Sequence, residues 1–319
     1  MSTAHTRNPN VREVVVTGIG LALPGAATYG DLLGPLPVVG GFDPATRLIG
    51  RKLRHKDRAS RLALRAVESA LLDADLTDAD ATFTGAADAT AVVVSTNLGN
   101  ADSVCEAVDT IAREGVRGLS PLGLPQTSSN VIAGWVAIRY GLRGPNLTVC
   151  NGVTSGLDAL ASARNLIVAG RAEAAVVVGV EPAGDVTTKM LGEQSTDAAV
   201  AVVLEPADAA ASRGARPRTT IARYARARDL AAALAAAGMA QGESVGLWLG
   251  DETGAAAGLL LAATRRIDLE DQLGPLSGAL GVLQCAAAAA HLESGLAGNV
   301  LATAGGPRHD AAAAVLLTP

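Results

Sequence analysis

The chain has 319 residues, of which 49% are hydrophobic, 18% are charged and 2% are aromatic, so its core must be built mainly from Ala, Val, Leu and Gly. This length predicts one large domain or two fused halves. The net charge of −5 argues against a surface that binds nucleic acid or an anionic membrane.

The chain begins with a polar stretch, and we expect residues 1–11 to form a flexible tail and residues 12–319 to form a single domain. A β-branched run predicts a first strand that ends near Thr17 or Gly18. Apolar residues at helical spacing predict a helix over 57–74 with Asp57 as its N-cap. Further helices are predicted over 101–114, 129–140, 155–170 and 277–294. Further strands are predicted in ATAVVVSTNLGN, AEAAVVVGVEP, DAAVAVVLEP, ESVGLWLG and a closing hairpin, NVLATAGG to AAAAVLLTP.

Continuous apolar strands that alternate with helices predict an α/β fold, in which helices cover both faces of the sheets. The alternation recurs in both halves of the chain. The longest uncharged run, residues 276–292, predicts a helix buried on all sides rather than a membrane span.

The cysteines and histidines limit the chemistry available to the chain. Three cysteines at wide, irregular spacing predict neither a disulfide framework nor a zinc site, and they fit a reducing, cytoplasmic setting. None of the four histidines has metal-ligand spacing, so we expect no metal and no cofactor. His291 is interpreted as a helix-surface or snorkelling residue, and His309, in a Gly-rich loop, is the histidine that could meet a site.

The segment TVCNGVTSGLDAL, residues 148–160, has the pattern of a turn that carries a nucleophile. Cys150 stands where the preceding strand should end. A nucleophilic thiol would need its pKa lowered by a helix N-terminus or by a histidine. The sequence of this segment alone leaves open both a catalytic thiol and a small buried residue at a strand end.

Several segments occur in an order that resembles the β-ketoacyl-ACP synthases of the thiolase fold. They are VVVTGIG, DRASRLALRAV, STNLGN, GLSPLGLPQTSSNVIAGWVAIRYGLRGPN, SGLDALASARNLIVAGRAEAAVVVGVEP and AVAVVLEPADAAASRGAR. The resemblance covers residues 14–214 and continues more weakly to the end of the chain. It implies a thiolase-like α/β fold and an obligate dimer. The fold would have duplicated βαβ halves, about 12–205 and 206–319, in a layered α-β-α-β-α domain.

The resemblance also implies that the family's catalytic positions have been vacated. The nucleophilic Cys falls on Val153, and the gating Phe falls on Ala304. One catalytic His falls on Pro275, and its supporting Lys falls on or near Glu270. The His of the family's HGTGT motif has no counterpart near LWLGDETGAA. Decarboxylative condensation needs a thiolate and paired imidazoles, so the resemblance implies that this chain has no catalytic residue.

The resemblance therefore predicts a non-catalytic subunit of the chain-length-factor type. Such a subunit pairs with an active ketosynthase of a type II polyketide synthase, which extends a chain on acyl carrier protein. The growing polyketide would occupy a tunnel in the pair, and a reduced, polyene-type product is one hypothesis. Two alternatives are a stand-alone thiolase-fold acyltransferase that uses Cys150 and a non-enzymatic scaffold that binds acyl carrier protein. No nucleic acid or membrane is expected as a partner.

Family analogy further implies which residues meet the chain and the partner. The expected tunnel-lining residues, for which ordinary amphipathic packing is the alternative, are Val104, Val108 and Ile111. The expected interface residues are Leu124, Gln126, Asn130, Trp135, Thr148 and Cys150. Trp135 could equally occupy the core, and Cys150 is interpreted as a small buried residue near the interface.

Overall fold

The computed structural model describes residues 12–37, 42–44, 56–239, 244–251 and 263–319. The predicted tail, residues 1–11, lies outside these ranges. The strands are β1 (Val14–Ala22), β2 (Thr90–Ser95), β3 (Asn146–Val149), β4 (Ala174–Glu181), β5 (Ala198–Pro206), β6 (Thr219–Ala227), β7 (Val245–Leu249), β8 (Ala263–Ile267), β9 (Val300–Gly305) and β10 (Ala312–Thr318). The helices are α1 (Arg58–Asp73), α2 (Ala101–Glu114), α3 (Val131–Tyr140), α4 (Ser155–Val168), α5 (Asp185–Leu191), α6 (Ala207–Ser212), α7 (Leu230–Ala236), α8 (Glu270–Leu273) and α9 (Leu280–Glu293).

The ten strands follow one another in the order β3-β2-β4-β5-β1-β6-β10-β9-β7-β8. The first five strands and the last five have the same topology. β2 pairs in parallel with β3 and β4, while β5 lies antiparallel to β4 and β1. The last five strands repeat this pattern. β7 pairs in parallel with β8 and β9, while β10 lies antiparallel to β9 and β6. The duplicated halves of the predicted fold are therefore confirmed, and they join where β1 pairs with β6. The division at about residue 205 stays a prediction.

Three hydrophobic clusters, each between helices and strands, define the layers of the fold. The central cluster contains apolar residues of α4 and α9 together with strand residues from both halves of the sheet. A second cluster joins α1 and α3 to the opposite face of β2, β4 and β5. A third joins α7 to β7, β9 and β10. The order of layers is thus helix, sheet, helix, sheet, helix. β2, β4, β5 and β7 are buried on both faces, which is why they are almost continuously apolar, whereas the edge strand β3 is exposed or half-buried.

Helix α9 confirms the prediction of a helix buried on all sides, because every residue from Leu280 to His291 is buried. No helix in the described part of the chain has both the length and the apolar composition to cross a bilayer. The interpretation of His291 as a surface residue is wrong, since it is 2% exposed. A helix without a polar face has no periodicity from which the position of its one histidine could be predicted.

Candidate functional site

The turn between β3 and α4 is held closed by Asn97, which follows β2. The Asn97 side chain donates to the Gly152 carbonyl at 2.8 Å, and the Gly152 N–H donates back to Asn97 Oδ1 at 3.1 Å. Gly152 has a φ of +70°, a conformation that favours glycine. Ser155 Oγ also donates to the Gly152 carbonyl, at 2.7 Å. These bonds fix Val153, the predicted vacated nucleophile position, in the short 3₁₀ segment Gly152–Thr154 before α4.

Asp158, in the first turn of α4, ties the same turn to the second half of the sheet. Its carboxylate accepts hydrogen bonds from Asn151 Nδ2 at 2.8 Å and from Thr154 Oγ1 at 2.9 Å. Tyr224 of β6 donates its hydroxyl to the other carboxylate oxygen at 2.7 Å. Arg226 of the same strand lies 3.5 Å from the carboxylate. Asp158 therefore links the turn to β6 through a satisfied, buried acceptor.

Glu181, at the end of β4, holds the two loops that flank the turn. Its carboxylate accepts from the backbone N–H groups of Asn97 at 2.5 Å, of Leu98 at 3.0 Å and of Gly278 at 3.1 Å. It is buried, and burial outweighs these hydrogen bonds and raises its pKa to about 7. Glu181 therefore joins the loop after β2 to the loop before α9.

Val153 faces a cavity of about 320 Å³, which we name the elbow cavity. Two other predicted vacated positions, Glu270 and Ala304, line the same cavity, whereas Pro275 is not among its described lining residues. His309, selected from the sequence as the histidine that could meet a site, also lines it, as does Asp251. The structure thus brings three of the four vacated positions together, and their assignment to family roles stays a prediction.

Carboxyl groups dominate the electrostatics of the elbow cavity. Burial raises the pKa of Asp268, and the charges of Asp271 and Asp251 add to the rise. Burial also raises the pKa of Glu270, which accepts a hydrogen bond from the Leu276 N–H at 2.7 Å. These carboxylates are acceptors and cannot themselves stabilise an enolate or an oxyanion, which require donors or cations. The guanidinium groups of Arg228 and Arg308 also line the cavity, but carboxyl groups outnumber them.

The described lining of the elbow cavity includes no thiol and no amine. Its buried hydroxyl, Thr303 Oγ1, accepts from Trp248 Nε1 at 2.9 Å and lies 3.4 Å from the Leu249 carbonyl. Cys150 lies three residues before Val153 and is not part of this lining. Cys150 is exposed in the isolated chain, so its burial near a subunit interface stays a prediction. It follows the short edge strand β3, which leaves one side of the chain uncovered. Partial burial and the charge of Glu181 raise the pKa of its thiol.

The predicted tunnel-lining residues lie on the surface of the isolated chain. Val104, Val108 and Ile111 are 37%, 58% and 43% exposed, and no residue of α2 is buried. Amphipathic packing within the chain, the alternative interpretation, therefore does not account for this apolar stripe. Leu124 and Leu147 are also exposed. We name these five residues the α2–β3 surface.

The predicted interface residues divide into exposed and buried groups. Asn130 is exposed, and Thr148 lies half-buried on β3, which pairs only with β2 in the described structure. The Thr148 hydroxyl is buried and has no hydrogen-bond partner within the described chain. Gln126 is buried, and Trp135 is half-buried and donates to Gln126 Oε1 at 3.3 Å. These last two side chains contact each other beneath the surface, so a direct contact between Gln126 and a partner is not supported.

The described residues contain no group of three or more His, Cys, Asp or Glu side chains placed to hold a metal ion. Nor do they provide a glycine-rich phosphate loop after β1. Gly18 and Gly20 instead approach the backbone of α1 so closely that a β-carbon on either would lie 2.3 Å or less from an α1 carbonyl oxygen. The segment TGIGLALPG is therefore explained by helix–strand packing.

Comparison with known proteins identifies the family. A sequence profile described as "Beta-ketoacyl synthase, N-terminal domain" matches residues 26–253, more than half of the chain. The chain belongs to the β-ketoacyl synthase family. A curated family member, 3-oxoacyl-[acyl-carrier-protein] synthase 2 of Rhizobium meliloti (strain 1021), is 32% identical over 139 residues. That alignment covers 40% of this chain and 33% of the relative, so it spans about a third of the relative's length.

Solved structures of β-ketoacyl synthases match over nearly the whole chain. The ishigamide ketosynthase/chain length factor is 25% identical, with a TM-score of 0.74 over 96% of this chain and 99% of that one. A type II polyketide synthase acyl carrier protein in complex with its ketosynthase, bound to the hexaketide, contains a chain that is 18% identical. Its TM-score is 0.80 over 97% of this chain and 99% of that one. The predicted thiolase-like fold is thereby confirmed.

Sequence reasoning missed the polar groups that hold the turn of this β-ketoacyl synthase in place. The family-like segments contain Asn97, Asp158 and Glu181, but their sequence pattern did not predict a role for these three residues. A signal was available, because a charged or amide residue at the end of an apolar strand, or in the first turn of a buried helix, must find partners. Which loops supply those partners depends on contacts between residues 83 to 97 positions apart, such as Leu98 and Gly278 with Glu181.

Proposed function

We propose that this chain is a non-catalytic subunit of the chain-length-factor type. It would pair with an active ketosynthase for decarboxylative condensation and chain extension on acyl carrier protein in type II polyketide biosynthesis. One observation carries the proposal: Val153, at the position predicted for the nucleophile, lines the elbow cavity together with the predicted vacated positions Glu270 and Ala304. A hydrocarbon side chain cannot form the thioester on which condensation depends.

The electrostatics of the elbow cavity support the same conclusion. An active condensing site needs donors or cations for the developing oxyanion. Here the carboxyl groups of Asp229, Asp251, Asp268 and Glu270 outnumber the guanidinium groups of Arg228 and Arg308 in the lining, and burial raises the pKa values of Asp268 and Glu270. The residues that hold the turn in place, among them Asn97 and Asp158, would then preserve the join between β3 and α4 rather than position a thiolate.

The exposed apolar residues of the α2–β3 surface favour the binding of a partner subunit. Leu147 lies on β3, an edge strand with an unpaired outer side in the described structure, and the other apolar side chains of this surface are also exposed. An exposed edge strand next to apolar side chains is a template for pairing with another chain. An active ketosynthase is the proposed occupant because the matched ishigamide protein is a ketosynthase/chain length factor. Val104, Val108 and Ile111 would then line a tunnel for the growing chain at this junction.

We propose acyl carrier protein as a second partner because the curated relative is a 3-oxoacyl-[acyl-carrier-protein] synthase. We further propose a cytoplasmic setting. A reduced, polyene-type product remains the narrower form of the hypothesis.

A stand-alone acyltransferase that uses Cys150 is less well supported. Cys150 is exposed, is absent from the described lining of the elbow cavity, and has a raised pKa, so its thiol would be protonated at neutral pH. A homodimeric scaffold for acyl carrier protein would use the same α2–β3 surface. It differs from the leading proposal in its partner, which would be a second copy of this chain instead of a ketosynthase.

Co-expression with a candidate ketosynthase, such as one encoded by a gene adjacent to that of this chain, tests the proposal. We expect the two chains to co-purify at equal stoichiometry, and we expect condensation of malonyl and acyl groups on acyl carrier protein only when both are present. A matched pair of variants locates the interface. Leu147→Lys on β3 should abolish co-purification, whereas Leu72→Lys, at a leucine on α1 that is even more exposed, should not affect it. Condensation by the isolated chain, or a stable homodimer that excludes the ketosynthase, would contradict the proposal.

A further inference from the structure

The side-chain amide of Gln284, on α9, has a buried oxygen without a partner. Gln284 is 1% exposed and lines the elbow cavity. Its Nε2 donates to the Thr303 carbonyl at 2.8 Å and to the Leu249 carbonyl at 3.2 Å. These two bonds fix the orientation of the amide, because exchanging its nitrogen and oxygen would place Oε1 against two carbonyl oxygens. Oε1 accepts no hydrogen bond within the described chain, so this wall of the cavity lacks a donor.

The amide end of Gln284 lies where two lining segments of the elbow cavity meet. Its bonds join it to Thr303, which lines the cavity with Ala304, and to Leu249, which directly precedes the lining residue Gly250. A molecule in the cavity that carries a hydrogen-bond donor would therefore complete the unpaired oxygen.

The neighbouring side-chain donors are already engaged elsewhere. Trp248 Nε1 donates to Thr303 Oγ1 at 2.9 Å, and Thr303 Oγ1 directs its own hydrogen to the Leu249 carbonyl at 3.4 Å. Neither group can turn to Gln284 Oε1 without giving up its present bond. The donor that this oxygen needs is therefore not supplied by these two side chains.

The carboxyl groups of the elbow cavity favour a ligand with a positive charge. Asp268 and Glu270 are half-buried, and Asp268 Oδ1 accepts from the Glu270 N–H at 3.0 Å. Burial raises the pKa of both groups. The charge of Asp251 adds to the rise in the pKa of Asp268, and the charge of Asp268 adds to the rise in the pKa of Glu270. A cation beside these groups would offset their mutual repulsion and lower both pKa values again.

The two arginines of the lining do not cancel this preference. Arg228 Nε donates to Asp229 Oδ2 at 3.0 Å, so this guanidinium is already paired with one carboxylate of the lining. The Arg228 side chain is 89% exposed, and Arg308 is also exposed. Charges that face water are screened more strongly than half-buried ones. The charge that a ligand meets inside the cavity is therefore set mainly by Asp268 and Glu270.

Hydrocarbon side chains form much of the remaining lining and suit a short alkyl tail. They belong to Val153, Leu230, Ala231, Leu280 and Ala304. Apolar walls with a few placed polar groups are typical of sites for small molecules, and a volume of about 320 Å³ lies at the lower end of their range. The ligand that fits this lining is therefore small, with an apolar body and a cationic donor.

We propose that the elbow cavity binds a small primary alkylammonium, which donates a hydrogen bond to Gln284 Oε1 while its charge is balanced by Asp268 and Glu270. A metal ion is not the proposed cation, because the described residues provide no group of side chains placed to hold one. The inference goes beyond the proposed function, since it concerns what the cavity holds and requires no ketosynthase. It also implies that the cavity excludes carboxylates.

Binding to the full-length chain without a partner tests the inference. The probes are three four-carbon compounds, n-butylammonium, 1-butanol and butyrate, titrated in an amine-free buffer at neutral pH and followed by ligand-observed NMR. We expect butylammonium to bind about ten-fold more tightly than 1-butanol, because only the ammonium adds a charge-assisted hydrogen bond and attraction to the carboxylates. Butyrate should not bind.

Three variants locate the site. Gln284→Leu, of similar volume, removes the unpaired acceptor and should weaken the binding of butylammonium about ten-fold. Asp268→Asn keeps the shape of the side chain and removes one charge, so it should weaken the binding of butylammonium and leave that of 1-butanol unchanged. Asp208→Asn, at an exposed carboxylate of α6 outside the described lining, makes the same change in net charge and should alter neither.

Each possible outcome either supports or overturns the inference. Equal affinities for butylammonium and 1-butanol, binding of butyrate, or no binding of butylammonium would overturn it, the last result meaning that the cavity holds only solvent. Equal binding of butylammonium by the unaltered chain and by Asp268→Asn would also overturn it. If Gln284→Leu fails to fold, as judged by circular dichroism, Asp268→Asn and the comparison of probes on the unaltered chain decide. Failure of subunit pairing would remove the proposed function and leave this result intact.

Discussion

Gly156 of α4 and Gly281 of α9 meet backbone to backbone in the central layer. A β-carbon on Gly156 would lie 2.6 Å from the Gly281 nitrogen, and one on Gly281 would lie 2.3 Å from the Leu157 nitrogen. Gly156 follows the Val153 turn by three residues, and α9 contributes Leu280 and Gln284 to the elbow cavity. The close approach of these helices therefore sets the relative position of the two halves and the width of the cavity between them.

Gly281→Ala should destabilise the fold because the added methyl group meets backbone, which cannot rotate away. We expect a loss of about 1–3 kcal/mol in the free energy of unfolding, measured by denaturant titration. Gly134→Ala in α3 is the control. A β-carbon at Gly134 would meet no atom within 4 Å, so the change should stabilise the helix by about 0.5–1 kcal/mol. Equal effects at the two positions would contradict the packing described here.

Glu181 should make stability depend on pH near neutrality. Its pKa rises on folding from 4.5 to about 7, so the folded protein binds more protons than the unfolded chain between these values. The stabilising contribution is present below pH 4.5 and is lost as the pH rises through about 7. Relative to Glu181→Gln, the unaltered protein should lose stability over this window, with a slope of at most about 1.4 kcal/mol per pH unit. Glu173→Gln, at an exposed carboxyl before β4, should leave the slope unchanged. If stability depends on pH in the same way in both variants and in the unaltered protein, Glu181 is not the group responsible.

His291 should produce the opposite pH dependence. Both its ring nitrogens are buried without a hydrogen-bond partner in the described chain. Burial and the charge of Arg265 lower its pKa from 6.5. Its contribution to stability is therefore present above pH 6.5 and is lost as the pH falls towards the lower folded-state pKa. His291→Leu should remove this acid sensitivity and, by eliminating two unpaired polar atoms, stabilise the protein at neutral pH by about 1 kcal/mol. Thermal melts from neutral to mildly acidic pH, with the exposed His309→Leu as control, measure both effects. Unchanged acid sensitivity in His291→Leu would count against this account.

The sequence predicted the elements well where the pattern of apolar residues was strong. The predicted bounds of α2, residues 101–114, are those observed, and Asp57 caps α1 through the Ser60 N–H as expected. Both results follow from local rules, helical spacing and N-cap chemistry, that act within a few residues. The layered, duplicated fold was predictable because it came with the family resemblance.

The candidate site was less predictable because its geometry depends on distant segments. Val153 shares one cavity with Glu270 and Ala304 although it lies more than a hundred residues before either of them in the chain. The wrong prediction for His291 has the same origin. The sequence placed His291 on the surface, but the structure buries it, because burial is decided by which layer covers an element.

The exposed stripe on α2 should control the product of the paired enzyme. Val108→Phe or Ile111→Phe adds volume on the face that is proposed to line the tunnel, so the pair should release a shorter chain while still co-purifying. Asp109→Phe places the same ring on another face of the helix and should leave product length unchanged. Mass spectrometry of the released products distinguishes these outcomes. Identical product lengths in all three variants would remove the tunnel assignment.

The absence of a nucleophile at Val153 is tested most directly by finding where the acyl group is carried. This chain and its ketosynthase partner would be incubated together with acyl-loaded carrier protein, and the intact mass of each subunit would then be measured. The account predicts an acyl adduct on the ketosynthase alone and an unchanged mass for this chain. A stoichiometric adduct on this chain, at Cys150 or elsewhere, would contradict it.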